Sequence, residues 1–139
     1  MSITLKISNK VTLTGKAPEE KILARVTIPD MPKGSKGFMF GRNTETEALW
    51  KEIKGSIFSF VSREQGLFRK SPTGSGYLYT DQGSKHGSFL RTKVFFGLFG
   101  VREARLLPND PTSIAVGDKI VIKGVQGHVE LILEVVAIS

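Results

Sequence analysis

Three short stretches of the sequence end in groups able to grip an oxyanion. Gly41-Arg42 sets a guanidinium directly after the apolar run Phe38-Met39-Phe40, and Ser62-Arg63 joins a hydroxyl to a second guanidinium. Ser84-Lys85-His86-Gly87 offers an ammonium and an imidazole between turn-forming residues. A guanidinium presents planar forked donors, an ammonium a compact charge and a hydroxyl a neutral donor, and all three suit phosphate. A phosphorylated side chain carries roughly −1.5 to −2 charges at neutral pH, which two arginines and a lysine can neutralise. Taken singly, each stretch is bland, because an Arg after a strand is usually a solvated charge and a Ser-Arg pair is usually a turn.

The chemistry they suggest is binding rather than bond breaking. Thr73-Gly74-Ser75-Gly76 lacks the Lys-Ser/Thr ending of a phosphate-cradling P-loop. His86 and His128 lie far apart in the chain, and no Cys or carboxylate cluster suggests a metal. Ser62, His86 and Asp81 can be drawn as a triad, but their spacing fits no nucleophile elbow. The expectation is a protein that is not an enzyme and needs no cofactor or metal.

Strands must position these groups. Met1–Ile7 and Lys21–Ile28 alternate apolar and polar residues, with Thr14–Glu20 as a turn between them. Pro29–Gly37 reads as a basic loop, and Gly37–Phe40 as a short strand ending at Arg42. One helical signal follows. Thr44-Glu45-Thr46-Glu47 fits a capping box, Leu49, Trp50 and Ile53 share a face, and Gly55 can close a helix over Glu45–Lys54. Ser56–Val61, Gly66–Arg69 and Tyr77–Thr80 read as strands, with a turn at Ser62–Gln65 and a hairpin loop at Ser71–Gly76. Asp81-Gln82-Gly83-Ser84 breaks the third of these, and Ser88-Phe89-Leu90 resumes as a strand. Val94–Val101 reads as a strand with a bulge or bend, and Phe95–Phe99 as core filling in preference to a partner-binding surface. Ala104–Leu107, Lys119–Lys123 and Val129–Ile138 complete the series. Many short strands between turn signals, with one helix, indicate an all-β sandwich.

The 139 residues fit one domain with a sizeable core. No apolar run approaches the roughly 20 residues of a membrane helix, and the N-terminus alternates where a signal peptide would be continuously apolar. With no cysteines there is no disulfide and no thiolate chemistry, which suits the cytoplasm. A formal net charge of +7 implies attraction to something anionic, or simply solubility.

The order of the motifs is more specific than any one of them. Gly41-Arg42, Ser62-Arg63, Asp81, Gly83-Ser84, Gly87-Ser88-Phe89-Leu90 and Gly117-Asp118-Lys119-Ile120 together resemble the forkhead-associated (FHA) domain, from Phe38 to about Ile138. The resemblance implies a twisted β-sandwich of two sheets, of the FHA/SMAD kind, whose loops at one end bind phosphothreonine in partner proteins during signalling. By that resemblance Arg42 grips the phosphate, the Ser62 hydroxyl bonds a phosphate oxygen, and Arg63 adds a phosphate or peptide contact. Lys85 contacts the phosphothreonine and His86 faces the ligand backbone. Asp81, Ser84, Gly87 and Gly117-Asp118 resemble the scaffold that shapes the loops, and Ser84 and Arg91 are secondary candidates.

Several positions depart from the family pattern. Gln65 stands where a histidine usually braces the loops, and a glutamine offers similar hydrogen bonds. His86 replaces an Asn whose amide pairs a donor with an acceptor; protonated, it could donate to phosphate instead, strengthening binding near or below its unperturbed pKa of about 6.5. Arg91 stands where many members have another Asn. Glu45–Lys54 and Lys93–Glu103 look like insertions, and Phe60 falls near the position that hints at an apolar preference beside the phosphothreonine. The expectation is a phosphothreonine-dependent binding module whose partner is a phosphoprotein, not a membrane. A phosphate-independent assembly or dimerisation module of the same fold, and a basic polyanion or nucleic-acid binder, are the alternatives. A homo-oligomer or fusion to other domains is compatible with each.

Overall fold

The computed structural model describes residues 2–30, 36–42, 60–73, 76–93, 100–124 and 127–139. Ten strands follow in chain order: β1 (Ile3–Val11), β2 (Glu19–Ile28), β3 (Phe38–Phe40), β4 (Gly66–Lys70), β5 (Tyr77–Asp81), β6 (Phe89–Lys93), β7 (Val101–Arg105), β8 (Thr112–Ile114), β9 (Lys119–Lys123) and β10 (Val129–Ile138). They form a six-stranded sheet in the order β2-β1-β10-β9-β6-β7 and a four-stranded sheet in the order β3-β4-β5-β8. All the pairings between them are antiparallel. The protein is an all-β sandwich, as the strand pattern predicts. No helix among the described residues is long and apolar enough to cross a membrane.

Alternation builds the core. Ile3, Leu5 and Ile7 of β1, Ile120 and Ile122 of β9, and Leu131, Leu133 and Val135 of β10 all point inward from the larger sheet. Phe40, Phe68, Tyr77, Tyr79 and Ile114 answer them from the smaller one. Phe68 and Tyr79 meet edge to face, with ring centroids 5.0 Å apart, a geometry that the ring quadrupoles favour. Each large side chain removed from water in this way contributes roughly 1.5–3 kcal/mol, which offsets the ordering of the short strands.

The outward face of the larger sheet also buries apolar groups. Val121 and Ile132 are paired neighbours lying outside the core cluster, and they are 0% and 2% exposed. Lys119, Lys123, Glu130 and Glu134 stand two residues from them on the same face, where aliphatic stems can cover apolar surface while the charged heads pair above it. Glu130 and Arg91 pair at 2.9 Å, Arg91 and Glu103 at 2.6 Å, and Lys123 and Glu103 at 2.6 Å. Lys6 reaches Glu134 at 3.4 Å and Lys119 reaches it at 3.9 Å.

Several details differ from the sequence-based expectation: β1 runs on to Val11, and β2 starts at Glu19, inside the expected turn. The expected strand at Ala104–Leu107 begins earlier and ends earlier, at Val101–Arg105, because its register follows β6 from Phe89↔Arg105 to Lys93↔Val101. Thr112–Ile114 forms β8, too short and too close to Pro111 for alternation to reveal it. Phe60 and Val61, expected to end a strand, sit in a turn, yet both are buried in the core. The expected helix at 45–54, most of the strand at 56–61 and the aromatic stretch 95–99 lie outside the described residues.

Candidate functional site

The groups singled out from the sequence converge at one end of the sandwich. The C-terminal ends of β3 and β5 and the N-terminal ends of β4 and β6 meet there. Arg42, Phe60, Val61, Ser62, Arg63, Lys85 and His86 line a single basin of about 300 Å³. All five primary candidates, Arg42, Ser62, Arg63, Lys85 and His86, are among them.

Gly41 makes the convergence possible. A Cβ at this position would stand 2.1 Å from the Arg63 carbonyl oxygen and 2.8 Å from that of Ser62, so only a glycine lets the end of β3 lie against the 62–63 turn. The Arg42 amide then donates to the Ser62 carbonyl at 3.1 Å. The Arg42 Nε donates to the Val61 carbonyl, which ties the guanidinium to the turn beside the basin that Arg42 lines. No residue type marks that acceptor in advance, since it is a backbone group in a turn that reads as a strand in the sequence.

Gln65 ties the loops together. It is fully buried, its Oε1 accepts from the Ser62 amide at 2.9 Å, and its Nε2 donates to the Gly87 carbonyl and to Ser88 Oγ, both at 3.0 Å. Its backbone joins both neighbouring strand ends, donating to the Phe40 carbonyl at 2.8 Å and accepting from the Gln82 amide at 3.1 Å. One amide side chain thus spans the 62–65 turn and the 84–88 loop, the bracing that its position in the sequence suggested.

Ser88 and Asp81 complete a buried polar network. The Ser88 hydroxyl donates to Asp81 Oδ1 at 2.6 Å and accepts from Gln65. Its one hydrogen being used, its 2.8 Å contact with the Tyr79 hydroxyl has Tyr79 as donor. Burial pushes the Tyr79 phenol well above its usual range, and the nearby Asp81 charge adds to this, so it remains a donor throughout the physiological range. Asp81, 1% exposed, also accepts from Ser84 Oγ at 2.6 Å and from the Gly83 and Ser84 amides, both at 3.1 Å. The carboxylate therefore takes four hydrogen bonds and winds the 81–84 loop around itself. Ser84 is committed to this scaffold through both its amide and its hydroxyl.

The 84–88 loop returns to the 62–63 turn through one bond. The Lys85 amide donates to Ser62 Oγ at 2.9 Å. The Ser62 oxygen is thereby an acceptor, and its hydrogen is left to point to whatever occupies the basin. Arg42, Arg63 and Lys85 line the same basin, and the described residues lining it include no carboxylate. Among the described residues no group of His, Cys, Asp or Glu is arranged to hold a metal ion.

Arg91 lies apart from this arrangement. It stands in β6 on the outward face of the larger sheet, where Glu103 and Glu130 take its Nε and both terminal nitrogens. Burial disfavours its charge, but the two carboxylates outweigh that and raise its pKa further. Its side chain is 18% exposed and does not line the basin.

No family model, curated protein or solved structure matches this chain. The functional reading therefore rests on the order of its motifs and on the geometry of the basin.

Proposed function

We propose that this chain is a phosphothreonine-dependent peptide-binding module of the FHA kind, which recognises a phosphorylated partner protein through the loops at one end of its sandwich. The observation that carries the reading is the basin itself: two guanidinium groups, one ammonium and one serine hydroxyl converge where no described carboxylate neutralises them. A dianionic phosphate fits that donor set, because charge-assisted hydrogen bonds to its oxygens are roughly twice as strong as neutral ones. Ser62 supplies the neutral donor, Arg42 and Arg63 the forks, Lys85 the point charge, and His86 the rim beside the peptide backbone. The basin accounts for phosphate reading. The preference for threonine, and a role in signalling, rest on the resemblance of the motif order to the FHA family.

Fluorescence anisotropy with degenerate phosphothreonine, phosphoserine and unphosphorylated peptide pools tests this, with Arg42→Ala measured in parallel. Binding confined to the phosphothreonine pool and lost in the variant is the expected result. Equal binding to all three pools, or none, overturns it. Because unpaired cations also attract nucleic acid, an oligonucleotide is titrated alongside; binding to it that collapses with salt, while no peptide binds, would establish a polyanion binder instead.

A further inference from the structure

Arg105 ends β7 beside the basin but does not line it. Its register partner is Phe89, and the adjacent Leu106 amide donates to the Ser88 carbonyl at 2.9 Å, so its backbone is fixed to the same residue that anchors the buried network. The guanidinium, on an exposed residue, lies against the same loop. A Cβ built on Gly87 would lie 2.9–3.1 Å from its Nε, Cζ and terminal nitrogen, and its Cζ stands 5.8 Å from the centre of the Phe89 ring. Gly87 is therefore the floor on which this guanidinium rests, with the aromatic ring as its wall.

The neighbouring charges leave Arg105 available. Lys123 lies over the same ring at 4.4 Å, and its ammonium is neutralised by Glu103 at 2.6 Å. Glu103 is also held by Arg91 at 2.6 Å. Among the described residues, Arg105 makes no ion pair. It is a positioned cation next to a residue whose chain neighbour, His86, lines the basin.

We infer that the partner peptide carries a second anionic residue, an Asp, a Glu or another phosphorylated side chain, close in sequence to the phosphothreonine, and that Arg105 reads it. This rests on the basin being a phosphopeptide site. The ligand class is thus a doubly anionic segment, one charge held in the basin and the other on the Gly87–Phe89 ledge.

The test uses phosphothreonine peptides on a neutral background in which a single Asp is moved through every position on either side. An exposed but pre-positioned pair is expected to give a gain of about three- to fivefold at one position only. Arg105→Gln should remove that gain without altering affinity for the neutral-flanked phosphopeptide, and Arg105→Glu should turn the same position toward Lys. Circular dichroism confirms that both variants are folded. A flat Asp scan, a gain equal at all positions, or a gain that survives Arg105→Gln overturns the inference while leaving the basin reading intact. If the neutral-flanked phosphopeptide and its Asp-bearing forms all fail to bind, both fall.

Discussion

The end of the sandwich that carries the basin and the outward face of the six-stranded sheet are both rich in basic side chains, and the two use them in opposite ways. On the sheet face, Arg91, Lys119, Lys123 and Lys6 each find a carboxylate on another strand of the same sheet, and Glu103 and Glu134 are each shared between two cations. At the loop end, Arg42, Arg63 and Lys85 surround a cavity with no described carboxylate on its lining. The sheet face spends its charges within the molecule, where they roof Val121 and Ile132. The loop end sets its charges around a basin with no described carboxylate, above a buried neutral-and-anionic network centred on Gln65, Ser88 and Asp81. Net charge alone cannot separate the two, whereas pairing does.

That contrast can be broken most severely at Asp81. Asp81→Ala removes the acceptor for two hydroxyls and two amides in a buried loop, and a loss of about 3–5 kcal/mol in chemical denaturation is expected, with phosphopeptide affinity falling as the loop loosens. Arg42→Ala acts on the opposite quantity. Hydrogen bonds to charged groups are worth about 1.5–3 kcal/mol, so phosphopeptide affinity should drop about 10- to 100-fold while stability stays within about 0.5 kcal/mol of the parent. A stability loss comparable to that of Asp81→Ala would show that Arg42 belongs to the scaffold.

Arg91→Ala should do the reverse of Arg42→Ala. It leaves Glu130, whose side chain is 12% exposed, without its partner and uncovers the apolar stripe. We expect about 1–2 kcal/mol of lost stability, with peptide affinity unchanged. A drop in affinity would place Arg91 in ligand recognition after all.

The smallest effect is a pH dependence confined to the sheet face. Partial burial pushes the Glu103 carboxyl up, but hydrogen bonds from Lys123 and Arg91, with their charges, outweigh this and hold it below the usual range. A carboxyl lowered by folding stabilises the protein above its unfolded value of about 4.3 and loses that contribution as the pH falls toward the lower folded value. Stability should therefore be insensitive to Glu103 above about pH 5 and fall by less than about 1 kcal/mol through this group on further acidification. Comparing acid denaturation of Glu103→Gln with the parent checks this, and an identical slope below about pH 4.3 would exclude the group.

What could be read from the chain and what could not follow a physical division. Strands that bury one face announce themselves by alternation, which is why β1, β9 and β10 were legible and why the two-sheet architecture followed. β7 has all five residues exposed and no alternation to betray its ends, so only its pairing with β6 sets them. The basin residues were legible because their stretches adjoin expected strand ends and follow the order of the FHA motifs, and Gln65 because the family that the chain resembles has a bracing residue at that place. Arg91 is a secondary candidate through the resemblance alone, standing where many FHA members have an Asn. The carboxylates that occupy it, Glu103 and Glu130, lie 12 and 39 residues away and meet it only across strands. Arg105 went unnoticed because its meaning comes from the bare backbone of Gly87 beneath it, a contact that no spacing in the sequence records.

The pairing of Ser2 with Ser139 has a mechanical consequence. Each of these residues donates its amide to the other's carbonyl, their hydroxyls lie 2.9 Å apart, and the β1–β10 ladder runs away from them toward Val11 and Val129. Gly124, which pairs with Val129, packs beside Phe60 at the basin wall. A pull applied across Ser2 and Ser139 would load the ladder one rung at a time, as a zipper rather than a shear. Rupture would begin at the end of the sandwich farthest from the basin, and a bound peptide would feel the strain last.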